Sequence, residues 1–501
     1  MSLLIPGTNS IKDTGYDVAN SLRFDDGSSD YLSRTPSSGG NTKTWTFSTW
    51  IKRANIGVSA PMNLLGGEDS ASRYSDVMIG TPSGVDDTFW FKQDTGTVAE
   101  LRSTAVLRDP TAWYHLVFVY DSTNGTADDR MKMYVNGVQL TSFVVRTNVG
   151  SNVDSYVNSS GDINYVGSYQ GSSKFLDGYL CETALIDGTA LTPTAFGEFD
   201  SDTGIWKPKD FKDDVTFGTN GFYLEYKESG TGTDSSGMGA DTSGNNHHFA
   251  VSNLTSIDQC TDTCTNNFCT LNPLINSGAT YSNGNCRFDK GLDNKFVWGT
   301  MATSMNNSSA GWYYEVKVEH TPDATNGYGI RAGCGSITFA NEQSGGMGTD
   351  GGFGLSNDTS KLIQNSASVY QLSQNGGANS INSSISTANG HIMNVAWKNG
   401  KTFYGVNGVY VANDGGSDGN PSSDTNQSYD IVSSVQGDFW NPILASSGST
   451  PYFDAAVGVN FGNPTFSISS GNADANGYGN FEYAPPTGFY AICSKNLAEY
   501  G

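Results

Sequence analysis

Basic residues are scarce in this sequence. There are 27 Lys and Arg against 50 Asp and Glu, a formal net charge of −23, and nowhere do Lys or Arg cluster. A phosphate-tracking surface needs a basic footprint, so nucleic acid is excluded as a partner. The same scarcity disfavours anionic membrane surfaces. No stretch approaches the roughly 20 consecutive apolar residues of a membrane-spanning helix, so no membrane insertion is expected. Residues 1–8 (MSLLIPGT) lack the basic flank and apolar length of a secretory leader. The expectation is that an extracellular copy leaves its host by another route, such as cell lysis.

Histidine is also scarce, with five in the chain: His115, His247, His248, His320 and His391. The supply of general bases is therefore thin. No Gly-x-Ser-x-Gly elbow in a strand-to-helix setting, no His-Glu-x-x-His and no phosphate loop is present. Long i, i+3, i+4, i+7 apolar patterns are nearly absent, which excludes a helical architecture.

Cysteine is present in odd number: Cys181, Cys260, Cys264, Cys269, Cys286, Cys334 and Cys493. The run Cys260, Cys264, Cys269 lacks the second Cys-x2-Cys pair or nearby His that would complete a zinc site, since His247 and His248 lie upstream. A disulfide among Cys260–Cys286 and free thiols both remain open, and either is structural.

What is abundant is glycine, 61 residues, with aromatics at 12% and a charged fraction of only 15%. Disorder needs the reverse composition, so a loop-rich β protein is expected. Short runs rich in Trp, Tyr, Phe, Val and Thr recur: 44–51 (TWTFSTWI), 88–91 (TFWF), 113–120 (WYHLVFVY), 131–135 (MKMYV), 221–226 (GFYLEY), 312–318 (WYYEVKV), 391–397 (HIMNVAW) and 402–406 (TFYGV). These read as strands. Asn136-Gly137, Asn399-Gly400 and Asn407-Gly408 are tight-turn pairs, and Asp177-Gly178 and Asp187-Gly188 read the same way.

The fold class expected is all-β, with two antiparallel β-sandwich (jelly-roll) domains in tandem. Residues 1–17 read as an N-terminal arm ordered by docking, and 18–226 as the first sandwich. Residues 227–254, which include ESGTGTDSSGMGADTSGNN at 228–246, carry no hydrophobic pattern and read as a linker or long surface loop. Residues 255–497 read as the second sandwich, with a loop insertion at 413–427.

The first block contains, in order, Leu22-Arg23-Phe24-Asp25-Asp26-Gly27, Phe47-Ser48-Thr49-Trp50-Ile51-Lys52, Trp113-Tyr114-His115-Leu116-Val117, Tyr134-Val135-Asn136-Gly137 and Phe175-Leu176-Asp177-Gly178-Tyr179-Leu180-Cys181-Glu182. This ordered set resembles the LamG-like, concanavalin-type jelly-roll family. The resemblance implies two face-to-face antiparallel sheets, with Trp50, Trp113, Phe118 and Tyr134 as core residues and His115 as a half-buried structural residue. It also implies a loop rim that binds Ca²⁺ and glycans, with Asp25, Asp26, Asp30 and Asp177 as candidate ligands. The glucanase relatives place catalytic carboxylates in Glu-x-Asp-x-x-Glu on one strand. That motif is absent, and Glu182 followed by Asp187 has the wrong spacing. A non-enzymatic protein is expected, and no glycan-contacting residue is assigned.

The second block contains Trp312-Tyr313-Tyr314-Glu315-Val316, Gly329-Ile330, Gly390-His391-Ile392-Met393-Asn394-Val395-Ala396-Trp397, Gly400-Lys401-Thr402-Phe403 with Asn407-Gly408, and Asn460-Phe461-Gly462. These resemble a SPRY domain, departing at His391, where Asp is common, and at Trp397-Lys398, where Leu-Asp is common. SPRY domains bind partners through loops. The order LamG-like, then SPRY-like, resembles marine phage tail and fibre proteins. That resemblance implies a virion-surface protein that recognises host surface glycans and is anchored among other virion proteins; because single glycan sites bind weakly, display as a homo-oligomer is expected, a trimer being favoured. The alternatives are a purely structural capsid or tail decoration protein, a polysaccharide depolymerase, and a cellular lectin or adhesin.

Overall fold

A computed structural model describes residues 14–57, 60–70, 72–80, 87–275, 279–289, 296–305, 307–319, 330–336, 360–365, 369–374, 379–430, 439–446 and 457–501. Residues 1–13 of the expected arm, His320 and residues 327–329 lie outside them. The chain is all-β and divides into two compact units between Asn267 and Phe268. Among the described residues no helix is long and apolar enough to cross a membrane.

The first unit is a sandwich of two antiparallel sheets. One has the strand order Val138–Gln139, Met131–Val135, Trp113–Asp121, Thr44–Arg53, Gly178–Asp187, Ser21–Phe24, Gln259–Cys260. The other runs Phe143–Thr147, Val98–Val106, Thr88–Asp94, Arg73–Ile79, Met62–Ser70, Ile163–Val166, Tyr31–Arg34, Ala250–Ser252. Trp45, Phe47, Phe118 and Tyr120 of the first sheet meet Val77, Phe89, Phe91 and Leu101 of the second in one buried core. The Phe91 and Phe118 rings stack at 4.4 Å across the interface. Each such ring contributes roughly 1.5–3 kcal/mol by leaving water.

The first sheet is covered on its other face as well. Val117, Val119, Tyr134, Ala184 and Ile186 pack under Phe196, Phe211, Phe217 and Tyr223. Trp50, Trp113, Tyr179 and Cys181 pack under Val18, Trp206 and Cys260. Strand Gly178–Asp187 is therefore buried along its whole length, and Thr44–Arg53 along all but its first residue. A strand buried on both faces has no solvent side to leave polar, which accounts for the near-continuous aromatic and aliphatic run TWTFSTWI. Trp50, Trp113, Phe118 and Tyr134 are all buried, as expected, but only Phe118 lies between the two sheets.

Three sequence expectations need correction. Residues 227–254 are no linker: Met238, Phe249 and Leu254 lie in the first core, and Ala250–Ser252 adds an edge strand to Tyr31–Arg34. Sparse apolar residues hid this, because Asp and Asn side chains order the segment locally; Asp241 accepts from Tyr223 N, Ser243 N and His247 N. The first unit consequently runs to Asn267 rather than 226. Asp177-Gly178 and Asp187-Gly188 are not hairpin turns but bracket a single strand. Gly178 is there because a Cβ would lie 2.3 Å from Lys52 O.

The Asn-Gly pairs behave as read. Asn136 and Gly137 have φ of 47° and 79°, Asn399 and Gly400 49° and 73°, and Asn407 and Gly408 52° and 80°. Two successive positive φ values define the tight turn whose twist matches paired strands.

Among the described residues the second unit also has two sheets. One follows Thr280–Ser282, Arg287–Asp289, Val457–Asn460, Gly311–Val318, Ile392–Lys398, Lys401–Val406, Val409–Val411. The other follows Phe296–Trp298, Phe439–Ser446, Ile330–Ser336, Ser360–Asn365, Val369–Gln374, Asn379–Ser386. Among the described residues its strands pair antiparallel except where Phe489–Ala491 lies parallel to Gly311–Val318. Trp312, Tyr314, Trp397, Tyr404 and Trp440 fill its core.

Candidate ligand-binding site

Opposed residues of an antiparallel pair share a face. Ser33, Tyr165, Gly66, Asp76 and Lys92 are opposed in turn across five neighbouring strands of the second sheet of the first unit. Their face is turned away from the core, since Val77 and Phe91 point the other way into it. Glu68 and Tyr74 are opposed on the same face.

Gly66 organises the centre of this row. A Cβ there would lie 2.7 Å from Asn63 Nδ2 and from Asp76 Oδ1, and 2.8 Å from Glu68 Oε1. Three polar groups thus converge over a residue with no side chain. Asp76 is fully buried and Glu68 is 5% exposed. Residues 168–174 close over them: Ser168 O accepts from Asn63 Nδ2 at 2.7 Å, Gln170 N donates to Glu68 Oε1 at 3.3 Å, and Lys174 Nζ is 3.8 Å from Asp76 Oδ2. Burial, followed by the charge of Asp76, pushes the Glu68 carboxyl well above the ordinary range. Burial raises Asp76 too, against the lowering effect of Lys174. Both carboxyls therefore favour their protonated form more than free ones do.

Half-buried aromatic rings surround this pair. Tyr74 meets Tyr169 edge-on at 5.7 Å, and Lys174 Nζ sits 3.8 Å above the Tyr169 ring. Tyr31 lies 6.0 Å from Tyr165 and 6.4 Å from Phe175. Such rings offer flat apolar faces with hydroxyls at the edge, the combination that receives amphipathic ligands. Sequence reasoning missed all of these residues. One available signal was Asp76, a carboxylate within the strand RYSDVMI; the rest depend on strand register, which no local pattern gives.

The structure does bring the four rim aspartates together. Burial first, then the charges of Asp26 and Asp25, raise Asp177 well above the ordinary range, with Asp30 adding to this. Burial raises Asp30 to about 7. Asp25 Oδ1 accepts from Gly27 N at 2.8 Å and Asp30 Oδ2 from Asp25 N at 3.0 Å, while Asp30 Oδ1 and Asp177 Oδ1 are buried without a hydrogen bond. Two orphaned oxygens invite a cation. As arranged, however, no three His, Cys, Asp or Glu side chains among the described residues form a metal-holding group.

His115 is fully buried rather than half-buried, stacked against Trp50 at 4.8 Å and Trp206 at 5.9 Å. Trp206 Nε1 donates to its Nδ1, so Nε2 carries the proton and faces Ser48 Oγ at 2.9 Å. Burial lowers its pKa to about 3. A neutral, doubly hydrogen-bonded ring is structural.

Residues 26–195 match the family described as the concanavalin A-like lectin/glucanases superfamily. No curated protein matches the sequence. Similar solved structures include a Bacteroides ovatus protein described as a candidate carbohydrate binder, 15% identical, covering 48% of this chain and 60% of that one at a TM-score of 0.33. Domains LG4-5 of the mouse laminin alpha1 chain are 11% identical over 92% of both chains at 0.30. The SPRY domain of human HERC1 is 12% identical over 38% of this chain and 96% of its own at 0.25.

Proposed function

We propose that this chain is a non-enzymatic recognition protein that binds surface glycans through the outer sheet face of its first unit. The observation carrying this reading is the set of half-buried rings, Tyr31, Tyr74, Tyr165, Tyr169 and Phe175, grouped around Glu68 and Asp76. Hydrolysis of a glycosidic bond needs two carboxyl groups about 5–10 Å apart across the bond. Glu68 and Asp76 instead lie side by side, buried beneath residues 168–174, an arrangement suited to holding a surface in shape. Placement on a virion, with the second unit contacting other virion proteins, rests on the order of the two resemblances in the sequence, and display as a trimer on the avidity that weak single glycan sites need.

The test is binding of the full chain to an array of microbial and host-envelope polysaccharides. Tyr165→Ala is expected to weaken binding about tenfold, one lost stacking contact being worth roughly 1–1.5 kcal/mol, with an unchanged melting temperature. Absence of any glycan signal from folded, multimeric protein would sink the reading. Mass spectrometry of purified particles tests the virion placement.

Calcium would compensate the negative charge of Asp25, Asp26, Asp30 and Asp177 and stabilise the fold there. A chelator is expected to lower the melting temperature while leaving glycan binding intact.

A further inference from the structure

Cys181 and Cys264 face each other with their sulfurs 3.6 Å apart, 83 positions distant in sequence. Cys181 lies on the fully buried strand Gly178–Asp187. Cys264 lies in the last stretch of the first unit, which ends at Asn267.

That stretch is strapped down along its length. Ser21 Oγ donates to Asp262 O at 2.5 Å, Lys52 Nζ pairs with Asp262 Oδ2 at 2.8 Å, and Trp113 Nε1 donates to Asp262 Oδ1 at 3.2 Å. Val18 N donates to Thr265 Oγ1 at 3.0 Å, and Lys52 Nζ reaches Asn267 Oδ1 at 2.7 Å. These contacts hold the backbone on both sides of Cys264, so the two sulfurs are presented to each other by the fold.

We propose that Cys181 and Cys264 are a disulfide-forming pair that locks the end of the first unit onto its central strand. The reaction needs a disulfide co-reactant, such as oxidised glutathione. The thiolate of Cys264, the partly exposed residue of the two, attacks one glutathione sulfur and forms a mixed disulfide while a glutathione thiolate leaves. Cys181 then attacks the Cys264 sulfur, a second glutathione thiolate leaves, and the two protein protons end on the two glutathiones. Burial raises both thiols above their ordinary range, so the exchange is slow at neutral pH and quickens in mild alkali or during folding. The closed bond removes the freedom of an 83-position loop from the unfolded chain.

The competitor is Cys260, which packs in the same cluster and whose sulfur lies 3.3 Å from Asp258 O. The full chain is incubated with oxidised glutathione, both folded and during refolding, then alkylated and digested without reduction. The expected result is one peptide pair joining Cys181 to Cys264, with the loss of two hydrogens. The thermal midpoint should rise by several degrees. Cys260→Ala keeps both effects and Cys264→Ser abolishes both. Cys181→Ala should do the same; should it fail to fold, Cys264→Ser, at the partly exposed position, carries the test alone. A bond from Cys264 to Cys260, or a correctly folded product with no bond after oxidative refolding, overturns the proposal.

Discussion

Single residues decide how the site face is held. Gly66 admits Asn63, Glu68 and Asp76 over its backbone where a methyl group would collide with all three. The raised pKa values of Glu68 and Asp76 have a consequence for stability. Unfolded carboxyls titrate near about 4, whereas both folded ones titrate higher. The fold therefore binds more protons than the unfolded chain above that range. Its stabilising contribution is complete below the ordinary value and is lost as pH rises through the raised ones. Thermal midpoints should fall between about pH 5 and pH 9. In Glu68→Gln, which carries no titrating group at that position, the fall should be shallower. An identical slope in both proteins would show that Glu68 does not titrate above the ordinary carboxyl range.

At the scale of elements, the segment 227–254 is the clearest case of structure without a visible pattern. It delivers three core residues and an edge strand, and its Gly and Ser residues serve close approaches; a Cβ on Gly239 would lie 2.4 Å from Phe249 O. A chain of residues 13–267 should fold alone. One ending at 226 should not, because it leaves the core side chains beneath Met238 and Phe249 open to water. Losing two large buried side chains costs about 5 kcal/mol or more, comparable with the whole stability of a domain. Circular dichroism melts of the two fragments measure this directly.

At the scale of the whole molecule, a net charge of −23 sets which glycans the face can meet. Acidic polysaccharides are repelled at long range, and salt screens that repulsion over a distance of about 10 Å at 0.1 M. Neutral polysaccharides should bind with little dependence on ionic strength, and binding of acidic ones should strengthen as salt is added. Binding of acidic glycans that weakens with salt would mean that Lys174 or another cation directs recognition. Display in several copies would raise avidity by about 10²–10⁴ without any new contact.

The sequence by itself determined the all-β class, the position of the Asn-Gly turns and the buried character of residues such as Trp50 and Phe118. Those are local matters: strand propensity, positive φ and hydrophobic runs are written in adjacent residues. It also pointed, through the ordered phrases that resemble one family, to Asp25, Asp26, Asp30 and Asp177 as candidate calcium ligands. The tertiary structure alone decided that 227–254 belongs to the first unit, that His115 is sealed between two tryptophans, and that Tyr31, Glu68, Tyr74, Asp76 and Tyr165 share one face. Each of these depends on strand register and on contacts between residues far apart in the chain. A shift of one residue in register would turn every one of those side chains to the opposite face of the sheet.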